Sequence, residues 1–273
     1  MAKPEPTDPV DPAAASQVSR RAVLRTGLLG TGLMLARQAQ AQPASAEPPI
    51  PADTIPMGVR VGPGLRQHTG KDITVFWRGK LCIHARYCVT VGSQVFTPEG
   101  RWDLGKESAD HIAHVVRQCP SGALTYERAD GGPQELTPRV NVIRLFENGP
   151  LAVHADLALP GQRPMKRATL CRCGKSGNKP FCDGSHGVAG FLAPGEPPST
   201  TQLDMPAHRG GELKVTPLRD GPYQVAGNLE LCAGTGRAIA RTASARLCRC
   251  GGSANPPFCD GTHLGNGFTA DGA

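Results

Sequence analysis

Aromatic residues make up only 4% of the 273-residue chain. Loop-rich units this poor in large rings bury little apolar area and need staples, either disulfides or metal centres. The apolar stretch at 28–36 is too short and too rich in glycine to span a bilayer. No block of Lys and Arg is interleaved with aromatics, so the net charge of +7 gives no nucleic-acid face. Also missing are a glycine-rich nucleotide loop after a strand, a G-x-S-x-G nucleophile elbow and an H-E-x-x-H zinc motif. These absences set the expectation that the chain is not an enzyme and makes no stable membrane span.

What the chain has in quantity is glycine, proline and cysteine, at 34, 26 and 10 residues. The first two favour turns over long helices. The cysteines include Cys171-Arg172-Cys173 and Cys248-Arg249-Cys250. One intervening residue is too little for an unstrained disulfide but natural for two ligands of one metal centre. At the N-terminus, Ser19-Arg20-Arg21-Ala22-Val23-Leu24-Arg25 resembles the twin-arginine export signal, followed by Ala39-Gln40-Ala41 in the form of a cleavage site. Residues 1–41 are therefore set aside as a leader and 42–70, rich in Pro and Gly, as a flexible linker. The resemblance implies export of the folded protein to the periplasm, with a cytoplasmic location as the alternative.

The second half of the chain repeats itself. Gly149-Pro150-Leu151-Ala152-Val153 echoes Gly221-Pro222-Tyr223-Gln224-Val225, and Leu170-Cys171-Arg172-Cys173-Gly174 echoes Leu247-Cys248-Arg249-Cys250-Gly251. Each copy, 140–192 and 211–270, starts with alternating apolar positions around a Gly-Pro turn, the pattern of a β-hairpin. Each closes on three cysteines and a histidine: Cys171, Cys173, Cys182 and His186, then Cys248, Cys250, Cys259 and His263. Soft thiolates and one imidazole at the same spacing twice make a strong metal signature.

Both segments, with Ser176 or Ser253, Pro180 or Pro257 and a C-D-G-S/T-H ending, resemble the CDGSH iron-sulfur family of the mitoNEET type. The resemblance implies a [2Fe-2S] cluster on three Cys and one His in each copy, within a small β-rich fold. Family members are often homodimers, so tandem copies imply a monomer with an internal pseudo-twofold. Gly184 and Gly261 stand where a sharp turn requires positive φ. Asp183 and Asp260 are expected to cap a following helical turn, and Ser176 and Ser253 to donate hydrogen bonds toward cluster sulfur. Pro180 and Pro257 stiffen the approach to the third cysteine.

A third centre is expected over 71–127. Cys82-Ile83-His84-Ala85-Arg86-Tyr87-Cys88 precedes a helix around 109–117 and then Cys119-Pro120-Ser121-Gly122-Ala123-Leu124. This arrangement resembles the divergent single-cluster ferredoxin domains, which hold [3Fe-4S] or [4Fe-4S] clusters. Ala85 replaces the middle cysteine of a full ferredoxin run, leaving three thiolates, so [3Fe-4S] is favoured unless His84 or an outside ligand completes [4Fe-4S]. Cys232, without a counterpart in the first copy, reads as a small buried residue.

The expected fold is α+β: a small ferredoxin-like unit and then two β-rich cluster-binding repeats. The expected function is electron transfer or redox and pH sensing with an unidentified redox partner protein and no nucleic acid. Cluster storage or transfer, and a structural zinc protein, are the alternatives, since Cys3His also suits zinc.

Overall fold

The computed structural model describes residues 59–62, 64–197 and 208–273. The expected export signal and most of the expected linker lie outside the described residues. The rest of that linker is not a linker: β1 (Val59–Gly62) and β2 (Leu65–Thr69) are antiparallel strands. They belong to a four-stranded sheet in the order β1-β2-β3-β4, with β3 at Ile73–Arg78 and β4 at Leu124–Arg128. The alternation in β2 is weak, because His68 is its single buried side chain, and this hid the strand from a reading of periodicity.

Between β3 and β4 the chain forms a short helix α1 (Tyr87–Val91) and the longer α2 (Ala109–Arg117). Ser108 caps α2 by accepting the His111 N–H at 3.2 Å, and Ile112, Val115 and Val116 put an apolar stripe on one side. The stripe packs with Ile73, Val75, Phe96, Trp102 and Tyr126 into the core of this unit.

The second sheet is built from both repeats. The first supplies β5 (Val142–Leu145), β6 (Leu151–Ala158) and β7 (Met165–Leu170). The second supplies β8 (Glu212–Pro217), β9 (Tyr223–Cys232) and β10 (Ala238–Leu247). The expected hairpins β5–β6 and β8–β9 are present and antiparallel. Each hairpin also pairs with the other copy: β5 runs parallel to β9, and β8 runs parallel to β6. The two repeats thus share one core, with Ile143, Leu151 and Leu170 beside Leu213, Leu231 and Leu247. Asn141 locks the exchange. Its amide donates to the carbonyls of Gly211 and Asn228 at 2.9 Å, and its oxygen accepts the Asp156 N–H. The whole is mostly β with a few short helices, an α+β arrangement. Among the described residues no helix is long and apolar enough to cross a membrane.

Candidate metal centres

Strand β7 ends at Leu170 and β10 at Leu247, so each strand delivers its C-x-C pair directly. The loop then folds back on the strand end. The Cys171 N–H bonds the Pro180 carbonyl at 2.9 Å and the Cys182 N–H bonds the Thr169 carbonyl at 2.9 Å. Cys248 and Cys259 repeat both bonds with Pro257 and Arg246. This ladder brings the third cysteine back to the strand end that carries the first two, eleven and nine residues earlier in the sequence.

The four side chains of each set come together as two pairs. Cys171 Sγ and Cys173 Sγ are 3.8 Å apart, and Cys182 Sγ lies 3.3 Å from His186 Nδ1. In the second copy the values are 3.7 Å for Cys248 and Cys250, and 3.4 Å for Cys259 and His263. Two sulfurs bound at about 2.3 Å to one tetrahedral metal stand ~3.8 Å apart, and sulfur with imidazole nitrogen slightly less. Each pair therefore has the bite of one tetrahedral ion. Among the described residues no three His, Cys, Asp or Glu side chains converge on a single point as a lone ion requires. Two adjacent bites fit a two-metal centre.

The thiol chemistry agrees. Cys173 and burial push the Cys171 thiol far up, while hydrogen bonding to Cys171 draws Cys173 down. Burial raises Cys182 to about 11 and also raises Cys248. Thiols raised in this way, Cys171, Cys182 and Cys248, hold negative charge at neutral pH only against a cationic centre, whereas Cys173 is drawn down to about 6. The backbone contributes donors: the N–H groups of Lys175 and Gly184 lie 3.4 Å from Cys173 Sγ and Cys182 Sγ, and that of Gly252 lies 3.4 Å from Cys250 Sγ.

Some motif residues act differently from expectation. The Ser176 hydroxyl donates to the Phe181 carbonyl at 2.7 Å and accepts the Asn178 N–H, so it is spent on the loop and not on sulfur. Ser253 does the same with Phe258 and Asn255. It is the backbone N–H of each serine that faces the first thiol of its set. Asp183 stands one residue before the N-cap of α3 (Ser185–Val188), which is Gly184. Its carboxylate accepts from Ser185 N–H at 3.0 Å and from Gly177 N–H at 2.8 Å, clamping the loop to the helical turn that carries His186. Asp260 clamps Thr262 and Ala254 in the same way. Gly184 and Gly261 have φ of 90° and 91°, the positive values that the turn demands.

Cys82, Cys88 and Cys119 line one small pocket of about 40 Å³, partly open to solvent, with Ala85, Pro120, Ser121, Trp77 and Trp102. Burial first, and the charge of Cys119, raise the pKa values of Cys82 and Cys88, so these thiols too call for a cation. N–H groups of His84 and Val89 face Cys82 and Cys88 respectively. His84, at φ 55°, is not in the lining of this pocket; it borders a neighbouring one with Cys82 and Cys88. Cys232 is buried at 3% exposure beside Glu230.

Sequence reasoning passed over the arginine inside each C-x-C. Arg172 is 2% exposed and donates to the carbonyls of Gly149, Pro194, Phe146 and Ala193, with its guanidinium over the Phe191 ring. Arg249 repeats the pattern with Gly221, Asp271, Leu218, Ala270 and Phe268. The repetition of Arg at that position was the available signal. Tyr223, aligned with Leu151 in the first copy, reaches across: its hydroxyl lies 3.0 Å from the Cys171 carbonyl and 2.8 Å from that of Pro180.

Paired thiolate and imidazole ligands on strand-end loops, with backbone N–H groups on the sulfurs, define an iron-sulfur protein. Comparison with known families agrees: residues 148–187 and 220–264 match the iron-binding zinc finger of CDGSH type, and residues 68–129 match the divergent 4Fe-4S mono-cluster domain. The chain carries two CDGSH segments behind a divergent mono-cluster segment. No curated protein and no solved structure matches it.

Proposed function

We propose that this protein is an electron carrier with three iron-sulfur centres. In this reading Cys171, Cys173, Cys182 and His186 hold one [2Fe-2S] cluster, and Cys248, Cys250, Cys259 and His263 hold a second. Cys82, Cys88 and Cys119 hold a third, [3Fe-4S] or, with an outside ligand, [4Fe-4S]. The observation that carries the reading is the division of each CDGSH ligand set into two tetrahedral bites. Clusters of this kind, when bound, take up and release single electrons. The chain holds their sulfur ligands in buried loops, donates N–H groups to them and places imidazole where a fourth thiolate would add negative charge, which raises the potential.

The two repeats are read as an internal pseudo-twofold monomer. Reciprocal strand pairing supports this, as do reciprocal close approaches: a Cβ on Gly174 would lie 2.7 Å from the Cys250 carbonyl oxygen, and one on Gly251 would lie 2.8 Å from that of Cys173. The partner is a redox protein with an acidic face, drawn to the net charge of +5 that residues 42–273 carry once the leader, with five Lys and Arg against three Asp and Glu, is set aside. The site of action is the periplasm, reached through the twin-arginine route, and no reaction on a small substrate is assigned. Cluster donation, in which protonation of His186 or His263 competes with iron, is the second reading; the histidine ligands are what favour it.

The test is anaerobic purification from residue 42, with iron, acid-labile sulfide and zinc counted on one sample and electron paramagnetic resonance recorded after reduction. Sulfide matched to iron and two [2Fe-2S] signals are expected. Stoichiometric zinc without sulfide defeats the reading. Cluster transfer to an apo acceptor faster than electron exchange favours donation instead.

A further inference from the structure

The two CDGSH sites differ in how they meet the N-terminal unit. Arg167 lies on β7, four residues before Cys171, and is 5% exposed. Its guanidinium donates to the carbonyls of Val116 at 2.7 Å, Cys119 at 2.5 Å and Leu124 at 3.0 Å. Glu135 completes the site with a bidentate pair at 2.7 and 2.9 Å. One side chain thus caps the negative C-terminal end of α2 and grips the Cys119-Pro120-Ser121-Gly122 loop. Backbone contact is equally close: a Cβ on Gly122 would lie 2.4 Å from the Arg167 carbonyl oxygen, so only glycine lets the loop seat against β7.

A second bridge lies on the other side of the same site. The Asn178 amide, in the loop between Cys173 and Cys182, donates to the Lys80 carbonyl at 2.7 Å, two residues before Cys82. Leu81 and Ala123, the neighbours of these contacts, are buried in the core of the CDGSH sheet, with Cys82 and Cys119 packed against it. In the second repeat the residue aligned with Arg167 is Ser244, on exposed strand surface.

We propose that Arg167 and Asn178 join the N-terminal site to the first CDGSH site and not to the second. Electron exchange then runs between neighbours in the order N-terminal site, first CDGSH site, second CDGSH site, with the first CDGSH site as the shared neighbour. The last link is the reciprocal contact of Gly174 with Cys250 and Gly251 with Cys173. The inference rests on the three-centre reading above. In each step one site is oxidised by one electron as its neighbour is reduced by one, and no bond forms or breaks; the external electron comes from a low-potential reductant. Covalent backbone and short hydrogen bonds couple the first pair of sites, from the Cys119 carbonyl through Arg167 along β7 to Cys171, whereas among the described residues no hydrogen bond joins the N-terminal unit to the Cys248–Cys259 loop.

The experiment uses the full mature chain, photoreduced until the N-terminal and both CDGSH centres are reduced, a state in which [4Fe-4S] and [3Fe-4S] are both paramagnetic. The two CDGSH signals are assigned by His186→Cys and His263→Cys, each of which keeps four ligands and shifts the g values of its own site alone. Spin relaxation of both signals is then measured with the N-terminal centre present and after Cys88→Ala. Faster relaxation of the first-site signal, lost in Cys88→Ala, with the second-site signal unchanged, is the expected result. Asn178→Ala and Arg167→Gln, at full iron content, should slow the exchange of electrons between the N-terminal and first sites. Relaxation that tracks the second site, or affects both equally, overturns the order. A chain short of iron for the N-terminal centre overturns the three-centre reading instead, and the iron count separates the two failures.

Discussion

Replacement of Arg172 by Met keeps the aliphatic bulk and removes the buried guanidinium. Four carbonyl oxygens then lose a donor, but not equally. Phe146 O still accepts from Gly149 N–H and Ala193 O from Asn148 N–H, while Gly149 O and Pro194 O keep no other donor among the described residues. Gly149 is buried and Pro194 exposed, so one orphaned buried acceptor costs about 1–3 kcal/mol while the Pro194 carbonyl turns to water. For a unit of this size that lowers the thermal midpoint by roughly 2–12 °C. Arg249→Met should match it, because Leu218 O and Ala270 O retain backbone donors and Gly221 O and Asp271 O do not. The assay is thermal melting of the anaerobic protein at equal iron content, followed by far-ultraviolet circular dichroism and by visible absorbance. Arg172→Lys, with one compact ammonium in place of a fork, should recover only part of the loss. If Arg172→Met melts within about 2 °C of the parent, the arginines are not what ties the loops 146–149 and 193–194 to the C-x-C segment.

Further outcomes can be checked on the same protein. His68 is 4% exposed and stacks on Trp102, and burial, with the charge of Arg66 adding, pulls its pKa from 6.5 to about 4. The unfolded chain then binds this proton first as pH falls, so stability is full above about pH 6.5 and declines by about 3 kcal/mol down to pH 4. Urea unfolding at pH 7 and pH 4.5 should show a smaller drop for His68→Phe than for the parent, and equal drops refute the assignment. Tyr223→Phe removes a hydroxyl that only the first CDGSH loop receives and should cost about 1–3 kcal/mol. It should speed cluster loss at the first site, timed by bleaching with a chelator, and leave the second unchanged; equal bleaching at both sites counts against it. Lys175 and Lys179 of the first site are Gly252 and Pro256 in the second, so the first should be reduced at the higher potential. A redox titration should resolve two CDGSH waves that merge in the Lys175→Gly, Lys179→Pro double variant, and one wave in the parent would sink the claim.

The candidate ligands were legible because chemistry fixes their type and spacing. Cys171, Cys173, Cys182 and His186, and their second-copy counterparts, sit in one continuous segment, and the structure brings each set together in pairs. The helix expected around 109–117 is present at Ala109–Arg117, and the hairpins were legible from their alternation about the Gly-Pro turns. Local signals decide such features, and local signals are what a sequence displays.

What the sequence did not display depends on residues far apart in the chain. The weakly alternating β2 becomes a strand because β1 and β3 supply its hydrogen bonds on either side. Ser176 and Ser253 turn from sulfur because Phe181 and Phe258 carbonyls lie closer in the folded loop. The parallel exchange of β5 with β9 and β8 with β6 has no local mark, since each partner is more than fifty residues distant. The same holds for Arg167, an ordinary strand residue until the α2 terminus and the Cys119 loop bring three carbonyls and Glu135 around it. Spacing alone thus determined which atoms are equipped to hold metal. Only the tertiary structure decided which centres stand next to one another, because that order is set by buried hydrogen bonds between segments the chain does not place side by side.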